Sequence, residues 1–218
     1  KTLCTDSIFE TLEISIDIIT QSLKTHPNQI PTTFVSTFDD VVVEDFSLDT
    51  YKALVEYFKE MIDSDKKAEV LIIFAYFALD FVKIDDHLDQ FVKETIIDAL
   101  NSEETIIIIA GFSILNEYSS HFQFEPDSAP PTDFLIDAIF PKLISQSDNL
   151  SRAAHEAAES MIKCRIFQED YAMDQILTMF DQYQSSNIDD FFNLLHVILF
   201  PVNDYQEIDY NPDMKKLI

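Results

Sequence analysis

One glycine, Gly111, serves all 218 residues of this chain, and that scarcity constrains the fold more than any other feature. Hairpin turns, β-bulges and phosphate-cradling loops draw on glycine because it reaches positive φ without steric cost. A chain nearly without it is poorly equipped for most all-β folds and most nucleotide-binding α/β folds. Helices joined by short polar turns remain, so the expected class is all-α.

The apolar spacing agrees. Helical patterns run over about 7–24, 32–45, 48–63, 67–83, 86–100, 104–120, 133–146, 149–165, 170–183 and 187–200. Asp6 or Ser7, Ser47, Asp85, Ser102, Thr132, Asp148 and Asn187 stand where N-caps are needed, Pro31 suits a first turn and Pro201 a stop. Paired in order, these segments make five hairpins, at about 7–45, 48–83, 86–120, 133–165 and 170–200. Their starts are spaced by roughly 41, 38, 47 and 37 residues, near the period of about 40–47 of two-helix repeats. The array is expected to span 1–202. "QFEPDSAPPTD" (123–133), with its three prolines, supplies a joint expected at 123–132, and 203–218 reads as an irregular tail. The chain starts at Lys1 rather than Met, which reads as a piece of something longer. "TIIIIAG" is rich in β-branched residues and admits a strand reading, but nothing nearby offers a pairing partner.

The segment "FPKLISQSDNLSRAAHEAAESMI" is the most informative. It places Pro141 in an apolar helical pattern, then a polar turn with Asp148, then Arg152 and the small pairs Ala153, Ala154 and Ala157, Ala158. Pro141 removes a helical hydrogen bond and is expected to bend its helix. Asp148 is expected to cap the next helix and to pair with Arg152 or a similar group. The alanines recur at i, i+4 and form a shallow stripe for close helix approach. A fainter copy of this skeleton pairs Ala110 and Gly111 with Ile114 and Leu115, and a looser one pairs Ala75 with Ala78 and Leu79. Gly111 thereby gains a packing role at a helix crossing, despite costing about 1 kcal/mol against Ala in a helix. This skeleton resembles that of HEAT repeats. The resemblance implies a right-handed α–α superhelix, HEAT- or armadillo-like, of about five helical hairpins.

Forty acidic residues against 14 basic ones give a net charge of −26. Nucleic-acid binders need clustered Lys and Arg, and anionic membranes repel such a chain, so neither is an expected partner. A field of this sign favours basic partners, although acidity also keeps a chain with nineteen Phe in solution. The two distant cysteines, Cys4 and Cys164, suggest no disulfide framework, and the expected location is cytoplasmic, nuclear or both. No apolar run is long enough to span a bilayer.

No catalytic chemistry is expected. His26, His87, His121, His155 and His196 show no metal-ligand or catalytic spacing, and His196 reads as a core or groove-edge residue. There is no P-loop, G-x-S-x-G or H-E-x-x-H. Asp39-Asp40, Asp85-Asp86, Glu103-Glu104 and Asp189-Asp190 are adjacent, about 100° apart on a helix, and read as caps and first-turn acids rather than acid–base dyads. No cofactor and no metal are expected, and the chain reads as a binding protein rather than an enzyme.

What remains is a surface. Second helices of the hairpins line one face of an α-solenoid. The residues there expected to meet a protein partner are Asn116, Glu117, Glu156, Glu159, Lys163, Asp190 and Asn193, with Glu156, Glu159 and Lys163 sharing a face opposite the alanines. Phe122 and Phe124 flank the proline joint and are candidates for docking into a partner, although a loop aromatic more often folds back onto its own core. In repeat type and charge the chain resembles the importin-β family of nuclear transport receptors. That resemblance implies basic cargo segments and Ran as partners. The alternative is a scaffold or regulatory subunit of a multiprotein complex, like the phosphatase scaffold or condensin-type subunits. Tubulin-binding TOG domains and HEAT-like DNA glycosylases resemble it less, because their binding surfaces are basic.

Overall fold

The computed structural model describes residues 5–31, 47–85, 88–122, 126–179 and 188–199. Nine α-helices and no strand occur among the described residues. They are α1 (Thr5–Thr25), α2 (Leu48–Met61), α3 (Lys67–Ile84), α4 (Asp89–Leu100), α5 (Thr105–Phe122), α6 (Thr132–Leu143), α7 (Asp148–Lys163), α8 (Glu169–Met179) and α9 (Ile188–Leu199). A single 3₁₀ turn, Pro126–Ser128, precedes α6. The helix expected at 32–45 lies outside the described residues. "TIIIIAG" is helical, at the start of α5.

Each of α2, α4, α6 and α8 packs on the helix that follows it, and α3, α5, α7 and α9 pack side by side in one row. This is a helical-repeat arrangement, with the second helix of each pair joining it to the next. The sequence shows why. The most extensive contact joins α3 to α5, and both helices are apolar on nearly every face because each is covered by several others. Helix α7 touches α5, α6 and α9, and there the side chains become small: Ala154, Ala157 and Ala158 are fully buried and Ala153 nearly so. Gly111, on α5, faces α4. A methyl group in its place would sit 2.9 Å from Ala99 Cβ and 3.1 Å from Leu100 Cδ2.

Phenylalanine fills the wider gaps. Phe58 of α2 lies 5.3 Å from Phe74, 5.6 Å from Phe77 and 5.7 Å from Phe81 between ring centroids, all on α3. Polar clasps tie the elements together. The Tyr51 hydroxyl donates to the Phe81 carbonyl at 3.1 Å, and burial, with Asp85 nearby, pushes its pKa up to about 12. Thr20 on α1 donates to Glu69 on α3 at 2.7 Å. Ser151 Oγ on α7 donates to the Leu143 carbonyl, the last residue of α6, at 2.6 Å.

Helix ends depart from several expectations. Ser47 does cap α2, its hydroxyl accepting from Thr50 N at 3.1 Å. Ser47→Ala is expected to cost about 1 kcal/mol in urea unfolding, while Ser47→Asp keeps an acceptor and stays near wild type. Asp148, however, is the first residue of α7 rather than its cap. Ser147 occupies the extended boundary position, with its carbonyl accepting from Ser151 N at 2.9 Å, so Asp148 acts through the helix dipole. No ion pair joins Asp148 to Arg152; the Arg152 charge acts instead on Glu156, one turn further on. Asp85 ends α3, its N–H donating to the Phe81 carbonyl, rather than starting α4. Thr132 follows the boundary residue Pro131, whose carbonyl accepts from Leu135 N at 3.0 Å. Pro141 lies in the last turn of α6, which ends at Leu143.

The proline joint is packed from Pro126 onward. Ser128 and Ala129 are buried, and Lys93 Nζ donates to the Asp127 carbonyl at 3.0 Å. Phe122 is fully buried with its ring edge-on to Tyr118, so it is core and not a docking aromatic; Phe124 lies outside the described residues. The shortage of glycine is met by other residues. Asn28 (φ 68°) and Arg165 (φ 61°) take the left-handed positions that follow α1 and α7. At Arg165 the bonds Ile166 N to Met161 O and Arg165 N to Ile162 O, both 2.9 Å, form a Schellman end without glycine.

Candidate functional site

The surface formed by α5, α7 and α9 gathers most of the residues singled out from the sequence. Glu117, Glu156, Lys163 and Asn193 are exposed, while Asn116, Glu159 and Asp190 are half-buried. Lys163 Nζ pairs with Glu159 at 2.7 Å, an i, i+4 bridge that already offsets one charge of the acidic row. The remaining acids influence one another. Loss of surrounding water raises the Glu156 carboxyl above its ordinary range; Arg152 opposes this, and Glu159 and Asp190 add to it. Burial alone raises Glu117. Asp190 on α9 thus faces α7, although 34 residues separate it in sequence from Glu156.

Three of these side chains meet in a cleft of about 120 Å³ between α3, α5 and α7. Ile72, Ala75 and Tyr76 of α3, with Ile30 from the segment after α1, supply its apolar wall. Asn116 and Glu117 come from α5 and Glu156 from α7. Asn116 sits one turn after Phe112 and one before Ser119–Ser120, where α5 passes from its buried to its more accessible half. Asn116 Oδ1 is the one buried side-chain oxygen or nitrogen among the described residues that has no hydrogen-bond partner. The sequence marked Asn116, Glu117 and Glu156 as surface positions, but not the cleft, because Ile72 and Glu156 reach it from helices with no local sequence relation.

His155 lies beneath this surface. It is buried, with Nδ1 2.8 Å from the Ser151 carbonyl, so Nδ1 carries the proton in the neutral ring. Burial holds its pKa below the ordinary 6.5, against the opposing pull of the Ser151 carbonyl and Asp190. The neutral ring therefore favours the fold. That stability is complete above about pH 6.5 and is lost as pH falls through the depressed folded-state pKa. The difference in urea-unfolding free energy between wild type and His155→Phe is expected to move against wild type between about pH 7.5 and 5.5. Glu117 and Glu156 have the opposite sign, gaining stability on protonation, but they are common to both proteins and cancel. A pH-independent difference would remove His155 from this account. His196, read from the sequence as core or groove-edge, is exposed, because Phe191, Leu194 and Ile198 form the buried stripe of α9 and leave it on another face.

A second polar group surrounds the 3₁₀ turn. The Tyr118 hydroxyl donates to Asp89 Oδ1, and His121 Nε2 lies 3.7 Å from the same oxygen. The buried hydroxyl is raised well above its ordinary range by burial and by the Asp89 charge. This group joins α4 to α5. Among the described residues no cluster of His, Cys, Asp or Glu is arranged to hold a metal ion, and no helix is long and apolar enough to cross a membrane. No known protein family, curated protein or solved structure matches this chain.

Proposed function

We propose that this chain is a protein-binding helical-repeat array of HEAT type, not an enzyme, whose α5–α7–α9 surface takes basic segments of partner proteins. The observation that carries the reading is the convergence of Glu117, Glu156 and Asp190 on that surface, where burial disfavours the charge on Glu117 and Glu156 and Arg152 only partly offsets it at Glu156. A cation arriving there relieves a standing electrostatic cost, and a net charge of −26 speeds its approach. The specific form of this reading is an importin-β-like nuclear transport receptor, working in cytoplasm and nucleus on basic cargo and Ran.

The test is binding of the purified chain to Lys/Arg-rich peptides and to Ran-GTP, at low and at physiological salt. Expected is peptide binding that weakens steeply with salt and is lost in a Glu156→Lys/Asp190→Lys variant. Ran binding would make it transport. Absence of peptide binding at low salt would sink the whole reading.

A scaffold reading has one observation of its own. Tyr171 and Leu177 on α8 and Phe192 and Leu199 on α9 are large apolar residues left exposed on the last helix pair, with Phe192 at 55% and Leu199 at 54%. A folded partner covering them would bind with little salt dependence.

A further inference from the structure

We propose that the cleft between α3, α5 and α7 receives a single lysine side chain of the partner, in preference to arginine. This rests on the reading of the chain as a binder of basic segments and assigns that recognition to one place. The cleft has two chemically different parts. Ile72, Ala75 and the body of Tyr76 line one side with apolar surface, suited to the methylene stem of lysine. Glu117 and Glu156 bring acceptors to the other, with the Asn116 amide beside them.

Two features favour an ammonium over a guanidinium. An ammonium is compact and offers three rotatable donors, matching the Glu117 and Glu156 carboxylates and, once its amide turns, Asn116 Oδ1. A guanidinium is a wider planar fork that gains most from coplanar, bidentate acceptors, and acceptors split between α5 and α7 suit it less.

The second observation is independent of the acids. Asn116 Oδ1 is buried without a partner, so its amide forgoes a hydrogen bond in the unliganded chain. Rotation of that amide into the cleft presents the oxygen to an incoming N–H and recovers the bond. Ser113, also on the lining, already donates its hydroxyl to the Ile109 carbonyl at 3.2 Å and does not compete as a donor. Burial disfavours the charge on both carboxyls, and a cation entering between them offsets that cost.

The test uses short peptides alternating Ala with Lys, with Arg, or with Nε-acetyl-lysine, titrated into the ¹⁵N-labelled chain. Expected is about tenfold tighter binding of the Lys peptide than of the Arg peptide, no binding of the acetylated one, and movement of the Asn116 side-chain NH₂ signal. Ser113→Leu, which fills the cleft and leaves every charge in place, is expected to abolish the preference for Lys, and Asn116→Ala to weaken Lys binding several-fold. Retained helical circular dichroism excludes unfolding as the cause. Equal binding of Lys and Arg peptides, unchanged by Ser113→Leu, overturns the cleft assignment and leaves the acidic-surface reading standing. If neither peptide binds, both are overturned.

Discussion

Phe58→Ala is expected to remove about 3–5 kcal/mol of stability, the largest effect of any single truncation considered. Phe58 is fully buried and its ring meets four others, Tyr57, Phe74, Phe77 and Phe81. Truncation leaves a hole bounded by rigid rings, which cannot collapse without moving α2 along α3. Helix pairs in this chain contact mainly their neighbours, so the loss should concentrate at one end. Hydrogen exchange is the measurement: α1 and α2 should lose protection first, with α6 and α7 nearly unchanged. Uniform loss of protection along the chain would show that the array unfolds as one unit.

Gly111→Val is expected to cost about 3 kcal/mol, and the size of the cost depends on Ala99. Both positions are backbone-anchored, so the 2.9 Å approach of a new Cβ to Ala99 Cβ cannot be relieved by a rotamer change. Helices α4 and α5 must separate. Gly111→Ala is the finer probe. Helix propensity favours it by about 1 kcal/mol, and overpacking opposes it by about 1–3 kcal/mol, so the net is a modest loss. Adding Ala99→Gly removes the opposing methyl. The double variant should recover about 1–2 kcal/mol relative to the sum of the single changes, measured in a urea-denaturation cycle. Simple additivity would mean that the two methyl positions do not meet.

These two predictions differ in how far the sequence foretells them. The importance of Gly111 was legible, because a lone glycine in an apolar helical pattern has few uses besides close packing. The ring cluster around Phe58 was not, since nineteen phenylalanines carry no mark of which meet. Phe122 shows the same limit: beside a proline-rich segment it admits either docking or folding back onto the core, and the structure makes it core, because the 3₁₀ turn folds back on α4 and α5. Asp148 and Asp85 show a smaller error. Each marks a helix boundary correctly but occupies the wrong side of it, because Ser147 and Leu88 supply the flanking backbone positions.

By itself the sequence determined the helices, since helix formation is written in spacings of three and four residues and in local caps. It also determined where packing must be close, at Ala153, Ala154, Ala157, Ala158 and Gly111, because small side chains are a local record of a near neighbour. Tertiary structure alone decided which helix that neighbour is, and with it the row of α3, α5, α7 and α9. It alone brought Tyr76, Asn116 and Glu156 to one cleft and left Asn116 Oδ1 without a partner. Contacts between residues some 40 positions apart depend on the angle and offset of whole helices, and no short-range pattern in the chain encodes these.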